Sequence, residues 1–286
     1  MDCHTPHQRR LDPKVLAHMA CAVGLLASFG VSAADDPLQA RYTFDAGWFF
    51  LSTDTRVRVD GETSGSVGTD IDFDESFGVG DVDRFRFDGM WRFAKRHGVR
   101  AMYFENNRSG SRDLSRDIIF GDTTFPIAAT VSAKSELRVM QLSYEYAFHQ
   151  RENYEIAASL GLHMLEAGLG LSATVDGPGG GGAVALDEAA KSKAPLPVIG
   201  LRGLWRLSDK VYATAQAQFF AADIDEYSGT LTDLKAQVVW QFTPHFGAGI
   251  GYNDFRFRFD VDNADDFSGR LRWNYGGAML FVSAVF

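Results

Sequence analysis

From residue 42 onward the chain is written largely in a period of two, and that pattern narrows the folds open to it. The stretch 267–286, FSGRLRWNYGGAMLFVSAVF, shows it plainly: counting back from Phe286, positions Ala284, Val282, Leu280 and Ala278 are all apolar. Alternate residues of a β-strand lie on one face, and a face without a polar group for about ten residues suits hydrocarbon rather than water. Nine earlier segments alternate in the same way, at 42–58, 84–94, 98–108, 130–148, 154–175, 196–207, 211–225, 230–242 and 246–260. The last of these changes phase, from Ala248, Ile250 and Tyr252 to Phe255, Phe257 and Phe259, so a bulge is expected near Asn253.

A sheet bathed in hydrocarbon cannot leave an edge, because each unpaired backbone amide there costs several kcal/mol. The fold class expected is therefore all-β: a transmembrane antiparallel up-and-down β-barrel of ten strands, with eight or twelve as alternatives. The other reading of the final strand is the buried end of a soluble sandwich, which would need polar residues on one side of each strand. No run of 18 apolar residues follows the N-terminus, which excludes a bundle of transmembrane helices but not a barrel.

The connections alternate in length. Tight ones fall at 95–97, 149–153, 208–210 and 243–245, and longer ones near 59–83, 109–129, 176–195, 226–229 and 261–266. Short turns at one end and long loops at the other are the pattern of an outer-membrane barrel, with the short end and, for an even strand count, both termini in the periplasm. Trp91, Phe93, Tyr146, Phe148, Tyr154, Trp205, Trp240 and Phe242 fall near the short turns and Tyr103, Phe219, Tyr252 and Trp273 nearer the long loops, as two interfacial girdles would. Within the loops, 177–182 (GPGGGG) reads as a flexible segment and 186–193 as a possible short helix.

Residues 1–33 read as a signal peptide: Arg9, Arg10 and Lys14, then the apolar run 15–31, then Val31-Ser32-Ala33 as a small-residue cleavage site. An uncleaved anchor helix is the alternative. Cys3 and Cys21 both lie in this segment, so disulfides, thiol chemistry and cysteine metal sites are not expected in the mature chain. Removing three basic residues from 28 and two acidic ones (Asp2, Asp12) from 37 leaves 25 and 35, a balance of −10. Such a charge gives no reason to expect nucleic acid as a partner.

The second face of each strand should point into the lumen. Its charged members include Asp45, Arg86, Asp88, Arg92, Arg100, Glu145, Glu155, Arg202, Arg206, Asp233 and Lys235, with six bases against five acids. Arg92 and Arg100 flank one short turn, Glu145 and Glu155 the next, and Arg206 the third, so an ion-pair network across the periplasmic half is expected. At ten strands the bore is narrow enough for side chains to fill it, and the planar arginine fork can bond two carboxylates at once. A polar channel lined by the same residues is the alternative. His163 should face inward on the same count, with Glu166 following after a change of phase; a satisfied lumen residue and a catalytic or metal-binding one are both open for His163.

The loop 59–83 carries eight acids and no Lys or Arg. Asp70, Asp72 and Asp74 alternate with Ile71 and Phe73, which would set three carboxylates on one side of a strand-like extension. The spacing resembles the start of a calcium loop but departs from it at Glu75, where the sharp-turn Gly belongs, and at Asp81 in the twelfth position. A solvated acidic rim and a weak divalent-cation site at Asp70, Asp72 and Asp74 are the two readings, and such a rim should attract cations.

A strand closed by a terminal Phe, here Phe286, resembles the C-terminal signature of Gram-negative outer-membrane barrels, which the barrel-assembly machinery recognises. The runs 68–73 (GTDIDF), 84–89 (RFRFDG) with Arg92, Phe93 and His97, 116–126 (RDIIFGDTTFP) and 194–197 (APLP) are together similar to an uncharacterised group of small proteobacterial outer-membrane barrels. That resemblance implies the barrel fold and the outer membrane, with outer-membrane lipid and lipopolysaccharide as surroundings. It implies no activity, cofactor or catalytic residue. The function expected is non-enzymatic, structural or interacting, around a plugged lumen, with a narrow cation-favouring channel as the alternative. A surface hydrolase, an omptin-like protease or a lipid A deacylase, fits less well, because His97, His149 and His245 sit at short turns and only His163 could serve as a base.

Overall fold

A computed structural model of the chain describes residues 36–79, 84–176, 183–224, 227–261 and 268–286. The signal segment 1–33 and the glycine run 177–182 lie outside the described residues. The elements in order are β1 (Tyr42–Val59), β2 (Ile71–Asp72), α1 (Phe73–Phe77), β3 (Arg84–Ala94), β4 (His97–Asp113), β5 (Ile118–Phe120), β6 (Thr123–Phe125), β7 (Thr130–Gln150), β8 (Tyr154–Asp176), β9 (Ala183–Ser208), β10 (Val211–Ile224), β11 (Tyr227–Gln241), β12 (Phe246–Val261) and β13 (Gly269–Val285). Ten of the strands, β1, β3, β4 and β7 to β13, run antiparallel in sequence order, and β13 pairs back onto β1 from Thr43↔Val285 to Val59↔Gly269. The ring is closed through its lower part; above it some strands run on with one neighbour, as β9 does from Ala183 to Val198 against β8. This is the ten-strand transmembrane barrel expected from the alternation.

The apolar outer face is a belt next to the short turns. Trp91, Trp205 and Trp240 are 45%, 37% and 55% exposed on it, joined by Phe50, Phe87, Tyr144, Leu201, Ile250, Leu280 and Val282. The backbone slips register at Arg92/Ala94, Ala147/His149 and Val211/Tyr212, in each case beside a short turn.

No bulge occurs at Asn253. Pairing runs without a shift through it on both sides, from Tyr227↔Val261 to Gln241↔Gly247 and from Phe246↔Ala284 to Val261↔Gly269. The change of phase belongs to the surroundings instead. Below Asn253 the outward residues Ile250 and Tyr252 are apolar or aromatic and exposed; above it the outward residues are Arg256 and Arg258, and Phe255 and Phe257 are buried inside. The barrel thus has a lower tier, greasy outside and polar inside, and an upper tier with those polarities exchanged. Since a strand's faces alternate strictly, the exchange needs no backbone irregularity. It accounts for Trp273 as well, expected on the outer girdle but fully buried in the upper lumen. Glu166 likewise needs no change of phase: register is continuous through Met164 and Glu166, and the carboxylate points outward to Arg138 and Lys193, each 2.9 Å away.

The region 176–195, expected as a loop with a short helix at 186–193, is mostly strand. Residues Ala183 to Ala194 continue β9 and pair with β8, as in Asp176↔Ala183 and Leu165↔Ala194. Local propensity for Ala and Lys favours helix, and pairing with the long neighbouring strand overrides it.

Candidate functional site

The lumen is filled from end to end, and each layer has its own chemistry. At the short-turn end residues 36–41 fold back across the mouth. Asp36 accepts a hydrogen bond from the amide of Leu38 (3.0 Å) and pairs with Arg206, while Leu38 packs against Leu204 and Tyr212. Arg206 therefore joins this latch and not the central network. Phe286 lies at the same end: its amide donates to the Tyr42 carbonyl (2.9 Å), and its ring stacks on His245 at 5.4 Å.

Above the latch lies a belt of buried ion pairs. Glu155 accepts from both Arg92 nitrogens, at 2.7 and 3.1 Å, and from Arg202 at 2.6 Å. Glu145 accepts from Arg100 at 2.6 Å and from Arg202 at 2.8 Å. Arg202 is thus the bridge between two carboxylates contributed by β7 and β8. A second cluster follows: Asp88 accepts from Arg86 (2.8 Å) and Lys235 (2.8 Å), and Arg86 reaches Asn253, which in turn donates to Asp233. Asp45 was expected among the ion pairs; it forms none within 4 Å among the described residues and instead accepts from Gln237 at 3.3 Å. A chamber of about 60 Å³ remains beside Asp45, Arg92, Arg100, Arg202 and Lys235, room for roughly two water molecules.

The paired geometry matters because removing charges from water costs several kcal/mol per ion, recovered only when partners and remaining hydrogen bonds are well placed. His163 sits at the top of this layer, 0% exposed, with Nε2 3.7 Å from Asp233 and the Phe255 ring 6.4 Å away. It is sealed off from solvent on every side.

The upper tier is closed by an apolar core. Phe49, Phe104, Leu137, Val139, Phe255, Phe257, Trp273 and Tyr275 point in from the wall. Phe73 and Phe77 of α1, and Ile118, Phe120 and Phe125 of the β5–β6 hairpin, come down from the loops to meet them. The helix is specified locally: Asp72 is its N-cap, accepting from the Glu75 amide at 3.0 Å, and Gly78 ends it at φ 62°. Phe73 and Phe77, four residues apart, share one face with ring centroids 5.0 Å apart. Asp74 fastens the helix to the wall, accepting from the Thr55 amide (2.6 Å) and pairing with Arg108. Burial pushes the Asp74 carboxyl above its ordinary range, and Arg108 offsets that only in part.

The three candidate metal ligands consequently part company. Asp70 offers its backbone carbonyl to Arg116 (3.2 Å), Asp72 caps α1 and faces Arg56 at 3.6 Å, and Asp74 turns in to Arg108. The stretch is strand only at β2 and helix from Phe73, so the carboxylates do not share a side. Among the described residues no group of three His, Cys, Asp or Glu is placed to hold a metal. The helix that closes the mouth was legible: Asp72-x-x-Glu75 followed by Gly78 is a cap-to-cap signal.

The hairpin completes the lid. The carboxylate of Asp122, at its turn, accepts from the amides of Thr63 (3.1 Å) and Ser64 (2.9 Å) and from the Ser64 hydroxyl (2.9 Å), joining two loops. Thr123 donates to Glu188 on β9 at 2.8 Å. Together these contacts hold the lid to opposite parts of the rim.

No family model matches this chain, and no curated protein does. Its fold is shared with a solved outer-membrane barrel. The structure of outer membrane protease OmpT from Escherichia coli is 13% identical, with a TM-score of 0.56, the match covering 90% of this chain and 99% of that one. Weaker matches are Ail, the attachment invasion locus protein of Yersinia pestis (11% identity, TM-score 0.34, 87% and 99% covered), and the toluene transporter TodX of Pseudomonas putida (10%, 0.32, 91% and 90%). At such identity the likeness to OmpT concerns the fold alone.

Proposed function

We propose that this protein is an integral outer-membrane barrel of non-enzymatic role, structural or interacting, whose lumen is permanently plugged by its own side chains. The observation that carries this reading is the stacking of two unlike seals, the Arg92–Glu155–Arg202–Glu145–Arg100 chain of ion pairs below and the Phe73/Phe77/Trp273 core above. The closed ring and its apolar belt support a place in the outer membrane, with the short turns, both termini and Phe286 on the periplasmic side and the lid outside. Lipid and lipopolysaccharide are then its surroundings, and Phe286 its mark for the assembly machinery.

A conducting lumen would need both seals to part. Among the described residues the histidines are His97, His149 and His245 beside short turns and the sealed His163, so no open cleft offers an imidazole base for hydrolysis. Reconstitution of the folded protein in a planar bilayer tests the reading. No conductance steps are expected; steady single-channel openings from the wild-type protein would overturn it.

A further inference from the structure

Three arginines stand side by side on the outer wall of the upper tier. Arg56 on β1 lies directly opposite Arg272 on β13, and Arg272 lies directly opposite Arg258 on β12. Like charges facing across neighbouring strands are destabilising, so the row calls for a counter-charge. Arg258 finds Asp260 at 2.7 Å, and Arg56 has Asp72 and Asp54 at 3.6 and 3.8 Å. The central Arg272 has no carboxylate within 4 Å among the described residues, and its buried Nε has no hydrogen-bond partner.

Two hollows meet at Arg56 and Arg272. The lower, of about 660 Å³, runs down past Arg256 and Asn274 to Gly276 and Tyr252. The upper, of about 800 Å³, reaches Arg112, Arg116 and Arg270. Arginines outnumber carboxylates in each, three to two (Asp54, Asp254) in the lower and five to four (Asp70, Asp72, Glu75, Asp113) in the upper. The lower hollow has two chemically different ends. Its floor at Gly276 lacks a side chain, and its lower lip is Tyr252, below which Ile250, Leu280 and Val282 face outward on the apolar belt. Arg256 stands four residues beyond Tyr252, roughly 13 Å along the strand. A cationic pocket that opens downward onto a greasy wall fits an amphiphile whose anionic head sits just above its hydrocarbon.

We propose that Arg56, Arg272 and Arg258, with Arg256 beneath them, bind the phosphorylated headgroup of an outer-leaflet lipid, whose chains lie against Tyr252, Ile250 and Leu280. Arginine forks match phosphate oxygens in pairs, and the phosphate supplies the charge that the row lacks. The inference rests on the membrane placement proposed above.

The test uses the full mature chain folded in detergent and then offered mixed micelles containing lipopolysaccharide, the same material with its phosphates removed, or phosphatidylcholine, and separately inorganic phosphate. Wild-type protein should bind the lipopolysaccharide and melt several degrees higher with it, and should ignore the other three, phosphatidylcholine because its own choline cation neutralises its single phosphodiester. Arg272→Gln should weaken that binding about tenfold, the scale of one charge-assisted hydrogen bond, and Arg272→Lys should retain most of it. Arg138→Gln, on β7 and held by Glu105 and Glu166, should bind as wild type. Equal binding by Arg272→Gln and wild type, or equal binding of the dephosphorylated lipid, would overturn the site. Full protection by inorganic phosphate alone would overturn the lipid assignment. Insertion of each variant into phosphatidylcholine vesicles is scored in parallel. Loss of insertion by the wild type would strike the membrane reading, whereas normal insertion without headgroup selectivity strikes only this site.

Discussion

Glu155 receives Arg92 through two hydrogen bonds, 2.7 and 3.1 Å long, one from each terminal nitrogen of the guanidinium to a different carboxylate oxygen. The two residues, on β3 and β8, lie 63 positions apart in the chain, and Arg202 approaches the same carboxylate from β9.

Glu155→Gln should therefore be costly out of proportion to its size. It leaves two buried guanidiniums short of charge, and breaking one side of a buried pair typically costs about 3–5 kcal/mol. Urea unfolding of the refolded barrel in lipid vesicles measures it. A loss below about 1 kcal/mol would mean that the pair is hydrated.

Two seals in series predict a non-additive effect on conductance. Neutralising Glu145 and Glu155 together should leave the bilayer silent, because the apolar tier still closes the bore. Phe73→Ala with Phe77→Ala should also be silent, at a stability cost of about 3–5 kcal/mol for each large aromatic removed from a core. Only the combination should conduct. Steady openings from either pair alone would show that a single tier does the sealing.

Gly78 ends α1 with φ 62°, in the left-handed region. Gly78→Ala should destabilise the lid by about 1 kcal/mol. Hydrogen exchange of the 73–78 amides is the direct readout, and unchanged protection would refute the cap's importance.

Asp122 ties the hairpin turn to the first loop, and the hydrogen bonds from the Ser64 amide, the Ser64 hydroxyl and the Thr63 amide hold its carboxyl below its ordinary range. A lowered carboxyl pKa favours the folded loop fully above the unfolded value, near 3.9. The advantage disappears as pH falls through the lower, folded value. Limited proteolysis of the loop 61–68 should be flat from pH 7 to about 5 and rise only under more acid conditions, and Asp122→Ala should be cleaved readily throughout. Sensitivity beginning near neutrality would point to another group.

The sequence carried the barrel because lipid imposes a rule that every strand obeys. Tyr42 to Phe50, Arg84 to Phe93 and Ala278 to Ala284 alternate visibly, and their opposite faces named Arg92, Arg100, Glu145, Glu155 and Arg202 as lumen residues, which the structure brings together. The rule weakens above the belt, where water replaces lipid. There the same alternation continues with its meaning reversed, so Trp273 was assigned to the wrong face and Asn253 to a bulge. The stretch 183–194 has Val184 as its one β-branched residue and is held by β8 alone. In the run 70–74, a calcium-like spacing masked the capping signal that opens α1. Arg206 found Asp36, a partner that strand periodicity does not reveal.

The exchange of polarity at Asn253 also separates height from anchorage. β8 runs for 23 residues, whereas crossing hydrocarbon takes about 9–11. On the side of β7 to β9 the surplus dozen, at about 3.3 Å each along a tilted strand, carries the wall roughly 30 Å beyond the belt, whereas β3, with 11 residues, carries almost none. The interior of this raised wall is mainly apolar and its flank charged, so it could be lengthened or shortened, two residues at a time on adjoining strands, without turning one lipid-facing side chain inward.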